Sequence, residues 1–95
     1  MIVHFACKDT ATIFEGTAVK RLPKDLQIVA SRKLQAIHVA TCIADLQSIP
    51  GLRCKKLAGK LKDFWSIRVN DQWRIIFTWT EPPPEALNVQ LTDYH

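Results

Sequence analysis

The stretch Phe64-Trp65-Ser66-Ile67-Arg68-Val69-Asn70-Asp71-Gln72-Trp73-Arg74-Ile75-Ile76-Phe77 decides how this chain folds. Trp65, Ile67 and Val69 alternate with Ser66 and Arg68, while Trp73, Ile75, Phe77 and Trp79 alternate with Arg74, Ile76 and Thr78. A period of two marks half-buried strands, because successive side chains on a strand point to opposite faces. Asn70-Asp71 between the two runs tolerates positive φ, so a tight hairpin is expected there. If Trp73, Ile75 and Phe77 face the interior, Arg74 and Arg68 share the outer face. An arginine placed so can grip a phosphate through two parallel N–H bonds and stays charged at any relevant pH; it can equally be an ordinary outward-facing residue.

Downstream, Glu81-Pro82-Pro83-Pro84-Glu85 forms a stiff connection to a last strand from Ala86 to Thr92, with Leu87, Val89 and Leu91 expected on its inner face. Asp93-Tyr94-His95 then places a carboxylate, a phenol and an imidazole at the strand's end. Unless that strand docks, the three are a polar tail.

Upstream, the period changes. Leu26, Val29, Ala30, Leu34, Ile37, Ala40 and Thr41 recur at three- and four-residue steps, which predicts an amphipathic helix of about five turns. Pro23 supplies its first-turn signal, and Lys24, Gln27, Arg32, Lys33 and Gln35 are expected to face water. A short helix from Cys42 to Gln47 should stop at Pro50-Gly51. Residues 1 to 6 read as a strand, and Lys8-Asp9-Thr10 opens a short helix ending at Gly16-Thr17. The expected architecture is α+β: an N-terminal strand and helices packed on a mostly antiparallel sheet of about four strands. One domain spans residues 1–95, with no repeat or linker.

Composition narrows the partners. Thirteen Lys and Arg against nine Asp and Glu give a formal charge of +4, which favours a polyanionic partner. Much of that charge lies in one stretch, where Arg53, Lys55, Lys56, Lys60, Lys62, Arg68 and Arg74 face only Asp63 and Asp71. No signal peptide or membrane span is recognisable, and the three widely spaced cysteines, Cys7, Cys42 and Cys54, suit reduced thiols in a cytoplasm. His4 and Cys7 have a ligand-like spacing without a second pair, so no metal or other cofactor is expected. His38 reads as a boundary residue of the long helix, and the three tryptophans as core or sheet surface.

The run from Phe64 to Phe77, closed by Asp93-Tyr94-His95, resembles the HigB toxins of the RelE/ParE superfamily, with a very similar pattern in the related toxin GraT. Phe5, the Ile13-Phe14 helix, the Arg32 to Thr41 helix and the Pro50-Gly51 break also fall where that family places them. The resemblance covers essentially the whole chain. It implies a RelE-like fold and an endoribonuclease that cuts mRNA in the ribosomal A site, partnered by a helix-turn-helix antitoxin of the HigA type. The toxin alone would be a monomer and the toxin–antitoxin complex a heterotetramer. Carried over residue by residue, the family's strand arginine is Arg74, and its C-terminal catalytic group is Asp93, Tyr94 and His95.

One loop departs from the pattern. Many HigB-like toxins read histidine-proline-leucine-lysine-glycine where this chain reads Lys55-Lys56-Leu57-Ala58-Gly59. Loss of that histidine and lysine implies slower cleavage, or a site in which Lys56 or Lys60 supplies the positive charge. Alternatively, Arg53, Lys55, Lys56, Lys60 and Arg68 hold rRNA or mRNA phosphates without taking part in chemistry. Two further readings stay open: a degenerate toxin that binds antitoxin or RNA without cutting, and a gyrase inhibitor of the ParE branch.

Overall fold

The computed structural model describes residues 1–93. Helices fill the first half of the chain and a sheet the second. Helix α1 (Lys8–Phe14) ends where Gly16 turns the chain at φ +89°, a conformation glycine adopts without a Cβ penalty. Helix α2 (Lys24–Val39) starts from Pro23, which sits one position earlier than a first-turn proline, at the N-cap. It stops two residues short of the expected Thr41. Ala40 turns extended at ψ 139°, and Thr41 instead donates its backbone N–H (2.9 Å) and hydroxyl (2.7 Å) to the Asp45 carboxylate. These bonds steady the start of α3 (Ile43–Gln47) and hold the Asp45 carboxyl below its ordinary value.

The sheet has four strands in the order β1-β2-β3-β4, every neighbour antiparallel: β1 (Lys55–Lys56), β2 (Trp65–Arg68), β3 (Trp73–Thr80) and β4 (Glu85–Asp93). Leu26, Ala30, Leu34 and Ile37 of α2 pack with Ile67, Ile75, Phe77, Ala86, Val89 and Leu91 of the sheet into one core. Phe77, Leu34, Ile37, Leu46, Ile67, Ile75 and Val89 are the largest apolar side chains wholly enclosed in it. Trp65, Trp73 and Trp79 lie half-buried against that core, as their alternation predicted. Thr10 ties the helical layer to the sheet, its buried hydroxyl accepting the Leu91 N–H at 3.0 Å.

Four expectations need correction. Leu87 is not on the inner face; Ala86 is, with Val89 and Leu91. Between Ile76↔Gln90 and Thr78↔Leu87 the register slips by one, and the extra residue is Asn88 at φ +55°. Asparagine enters the left-handed region more readily than most residues, and a bulge there throws Leu87 to the opposite face.

The N-terminal strand reduces to two isolated parallel bridges to β4, Ile2↔Ala86 and Phe5↔Val89, on either side of that bulge. Between them the Asn88 N–H goes to the His4 Nδ1 (3.3 Å) rather than to a backbone carbonyl.

Gln27, expected in water, is buried. Its side chain accepts from Val19 N–H and donates to Val19 O and Leu22 O at 2.7, 2.7 and 2.8 Å, fastening the segment between α1 and α2. Nor is His38 merely a boundary residue: its Nδ1 accepts the Ile2 N–H at 3.2 Å and its ring stands 5.2 Å from that of Phe14.

Candidate active site

The sheet has one face under the helices and one turned away from them, and the register assigns side chains to each. On the outer face Arg68 lies directly opposite Arg74, and Arg74 opposite Thr92; Lys55, Ser66 and Ile76 form the next row. Directly opposed residues on antiparallel strands have Cβ atoms about 4.5–5.5 Å apart. The arginine pair expected from the alternation is thus formed, with Lys55 on its face. Ser66 differs from expectation, being 2% exposed: a small side chain sunk between larger neighbours on an otherwise open face.

Both arginines are held at the β2–β3 turn. Arg68 donates its N–H to Leu52 O (2.8 Å), receives the Lys33 Nζ on its carbonyl (2.7 Å), and pairs through Nη2 with the Asp71 carboxylate. Arg74 donates from Nη1 to Asn70 O at 2.8 Å and Trp73 O at 3.3 Å. The turn is not made by positive φ as expected, since neither Asn70 nor Asp71 adopts it. Instead the Asn70 Oδ1 accepts the N–H groups of Gln72 and Trp73, both at 2.8 Å. An asparagine carbonyl folded back on the chain this way imitates a backbone turn.

The remaining predicted residues divide. Asp93 is opposite Trp73, so by register its side chain leaves the strand on the face away from Arg74; its carboxylate accepts from Gln72 Nε2 at 2.9 Å. Tyr94 and His95 lie outside the described residues. Lys56 belongs to the other face from Lys55, with its Nζ 5.2 Å from the centroid of the Trp65 ring. Lys60 is exposed on a short 3-10 turn, Gly59–Leu61, and Arg53 is exposed in the loop before β1, at φ 49°. The basic stretch therefore wraps around the β1–β2 edge instead of forming one patch.

Three residues near the arginines were given no place at the site from the sequence: Lys33, read as facing water, Asn70, read only as a turn residue, and Gln72. Asn70 preceding a turn had a legible signal of the side-chain-closed type. Lys33 had none, because its reach from α2 to β2 depends on tertiary packing. Burial first and the Arg68 charge second hold the Lys33 ammonium below its ordinary value.

Hollows of about 440 Å³, lined by Ile13, Ala18, Gln27, Ile28 and Arg32 among others, and of about 390 Å³, beside Met1, Val39 and Pro84, include neither Arg68 nor Arg74. Small molecules favour concave sites, whereas Arg68 and Arg74 stand on a sheet face that an extended polyanion can reach. Among the described residues no cluster of His, Cys, Asp or Glu is arranged to hold a metal ion, and no helix is long and apolar enough to cross a membrane.

Residues 3–95 match the family model of the RelE-like toxin of the type II toxin–antitoxin system HigB. Toxin HigB-1 of Vibrio cholerae is 37% identical over 92 residues, covering 96% of this chain and 95% of that protein. Endoribonuclease HigB of Proteus vulgaris is 33% identical over 96 residues, covering both chains in full (100%). Among solved structures, a YoeB/ParE toxin from Agrobacterium tumefaciens superposes with a TM-score of 0.63 at 11% identity over 100% of each chain. A chain of the YoeB-YefM complex from Staphylococcus aureus gives 0.59 at 17% identity, over 100% of this chain and 95% of that one. These two likenesses establish a shared fold.

Proposed function

This chain belongs to the HigB-like family of RelE-like toxins of type II toxin–antitoxin systems, and from that premise we propose that it is an endoribonuclease that cuts mRNA on the ribosome. The observation that carries the assignment to a site is the cross-strand pair of Arg68 and Arg74 on the sheet face opposite the helices. Two like charges placed directly opposite each other oppose folding, and such an arrangement is useful where a polyanion is to be bound.

The reaction is an in-line attack. The ribose 2'-hydroxyl forms a bond to the adjacent phosphorus while the bond to the 5'-oxygen of the next nucleotide breaks, leaving a 2',3'-cyclic phosphate and a free 5'-hydroxyl. One proton leaves the 2'-oxygen and one reaches the departing 5'-oxygen. Because the nucleophile comes from the substrate, no metal is needed to generate it. Arg74 holds the phosphate as negative charge gathers on its non-bridging oxygens, with Lys55 and Arg68 beside it on the same face. His95 is the candidate for proton transfer and Tyr94 for stacking on a base; Asp93, which leaves β4 on the face away from Arg74, serves to anchor the end of the strand and not to act on the phosphate. Gln72, on Asp93, fastens the end of β4 to the turn that holds Arg74. Lys56, Lys60 and Arg53, around the β1–β2 edge, grip phosphates of mRNA or rRNA. The partner that restrains the toxin is a helix-turn-helix antitoxin of the HigA type, and the resting complex is a heterotetramer.

The test is transcriptome-wide mapping of mRNA 5' ends after tightly controlled expression in a bacterial host. Wild type should generate new 5'-hydroxyl ends phased to codons, and a chain lacking Tyr94 and His95 should not. Unchanged ends together with intact antitoxin binding would make the chain a non-cutting binder, with Lys55 and Ala58 in the altered loop as the reason. DNA damage preceding translation arrest would point to gyrase instead.

A further inference from the structure

Asn70 has no part in the chemistry above, yet the β2–β3 turn is organised around it. Its Oδ1 accepts two backbone N–H groups, those of Gln72 and Trp73, each at 2.8 Å. Its own N–H points to Trp73 O at 3.3 Å, and its carbonyl receives the Arg74 Nη1 at 2.8 Å. With neither Asn70 nor Asp71 at positive φ, the side-chain amide closes the turn. We propose that Asn70 is the positioning residue for Arg74: by closing the turn, its side chain aims its main-chain carbonyl at the guanidinium and fixes where that charge meets RNA. This rests on the reading of Arg74 as the phosphate-binding arginine.

The physical case is one of pre-organisation. An arginine has a long, flexible stem, so a guanidinium placed by its backbone alone samples many rotamers. A carbonyl acceptor removes that freedom and, being neutral, does not cancel the charge through that bond. Asn70 is itself exposed, so its bonds have little to do with filling the core and much to do with the shape of the turn.

The test combines kinetics with a measurement that does not depend on catalysis. Asn70→Ala removes the side-chain acceptor that closes the turn and leaves the main-chain carbonyl in place; Asn70→Asp keeps a side-chain acceptor. In single-turnover cleavage of ribosome-bound mRNA, Asn70→Ala should lower the rate on the order of tenfold to a hundredfold, the loss expected when a reacting group is displaced by about an ångström. In an Arg74→Ala background, Asn70→Ala should cause no further loss. By nuclear relaxation, the Arg74 Nε–Hε vector should be ordered in wild type and in Asn70→Asp, and drop below an order parameter of about 0.6 in Asn70→Ala. Should Asn70→Ala not fold, Asn70→Ser, whose hydroxyl is a weaker and shorter acceptor, should show the same trend in part.

Two results overturn the proposal: an Arg74 side chain equally ordered without the Asn70 amide, or a penalty for Asn70→Ala that persists after Arg74 is removed. The second would make Asn70 a direct RNA contact. A wild-type chain that cuts no mRNA refutes the proposed function, and the relaxation data then decide the positioning role alone.

Discussion

Replacing Arg74 by glutamine separates an arginine kept for chemistry from one that merely decorates a sheet. Two small terms of opposite sign enter its effect on stability. Arg74 directly faces Arg68, and two unit charges about 5–6 Å apart in a water-like dielectric repel by roughly 0.7 kcal/mol, less once salt screens them. Glutamine removes that repulsion. Against it stands the loss of the Nη1 bonds to Asn70 O and Trp73 O, about 1 kcal/mol for groups that water can partly reach, some of which the glutamine amide recovers. The net change should lie within about 1 kcal/mol of zero, a small fraction of a typical domain stability of about 5–15 kcal/mol.

Catalysis behaves differently, because a donor aimed at developing phosphate charge is worth about 100- to 1000-fold in rate, or roughly 2.7–4 kcal/mol. Urea unfolding followed by the fluorescence of Trp65, Trp73 and Trp79, all packed against the core, gives the first quantity. Single-turnover cleavage of ribosome-bound mRNA gives the second. Arg74→Gln should therefore be nearly as stable as wild type and almost inactive. Cleavage within threefold of wild type refutes the role of Arg74, and a loss of stability above about 2 kcal/mol refutes the bookkeeping that treats it as dispensable to the fold.

Other expectations follow from single interactions. Gln27→Ala removes three hydrogen bonds and leaves the backbone of Val19 and Leu22 short of partners, so urea unfolding should show a loss of about 2–4 kcal/mol; a change below about 1 kcal/mol would mean that water replaces the amide. The folded chain binds the Lys33 proton less tightly than the unfolded chain does, so stability should rise as pH climbs through the window ending at the ordinary lysine value, 10.5. Lys33→Met should flatten that rise on the approach to pH 10.5, and identical slopes in both proteins would count against it. Burial pushes the Cys54 thiol up to about 11, so its alkylation by iodoacetamide should be slow at pH 8 and quicken roughly tenfold per pH unit toward that value. Labelling of Cys54 at the rate of a small free thiol at pH 8 would show the site to be open.

What could be read in advance was whatever a residue's own neighbours in sequence determine. The alternation around Ile67, Ile75 and Phe77 reports a strand and its two faces, and so located the Arg68–Arg74 pair without coordinates. Leu26, Ala30, Leu34 and Ile37 did the same for α2. The failures share a different cause. Leu87 continues a flawless alternation, and only the pairing of β4 with β3 reveals that Asn88 is the extra residue which turns it outward. Gln27 and Lys33 look like solvent-facing helix positions, and their partners, Val19, Leu22 and the carbonyl of Arg68, lie off the helix. Asp93, by contrast, keeps the parity of Val89 and Leu91, so its place on the face of Trp73 and away from Arg74 was legible in the alternation itself.

The two bridges from residues 1–6 to β4 also govern the order in which the molecule can assemble. The Ala86 N–H reaches Met1 O at 2.9 Å and the Val89 N–H reaches His4 O at 3.1 Å, contacts between opposite ends of the described chain. Hairpins β2–β3 and β3–β4 close over short loops, whereas these bridges must close a loop of more than eighty residues and gain little until both partners are in place. The first residues are therefore a late-closing clasp in folding and an early-opening one in unfolding. Whatever loosens them uncovers the outer edge of the strand that ends in Asp93, turning a sheet margin into a place where another chain can add a strand.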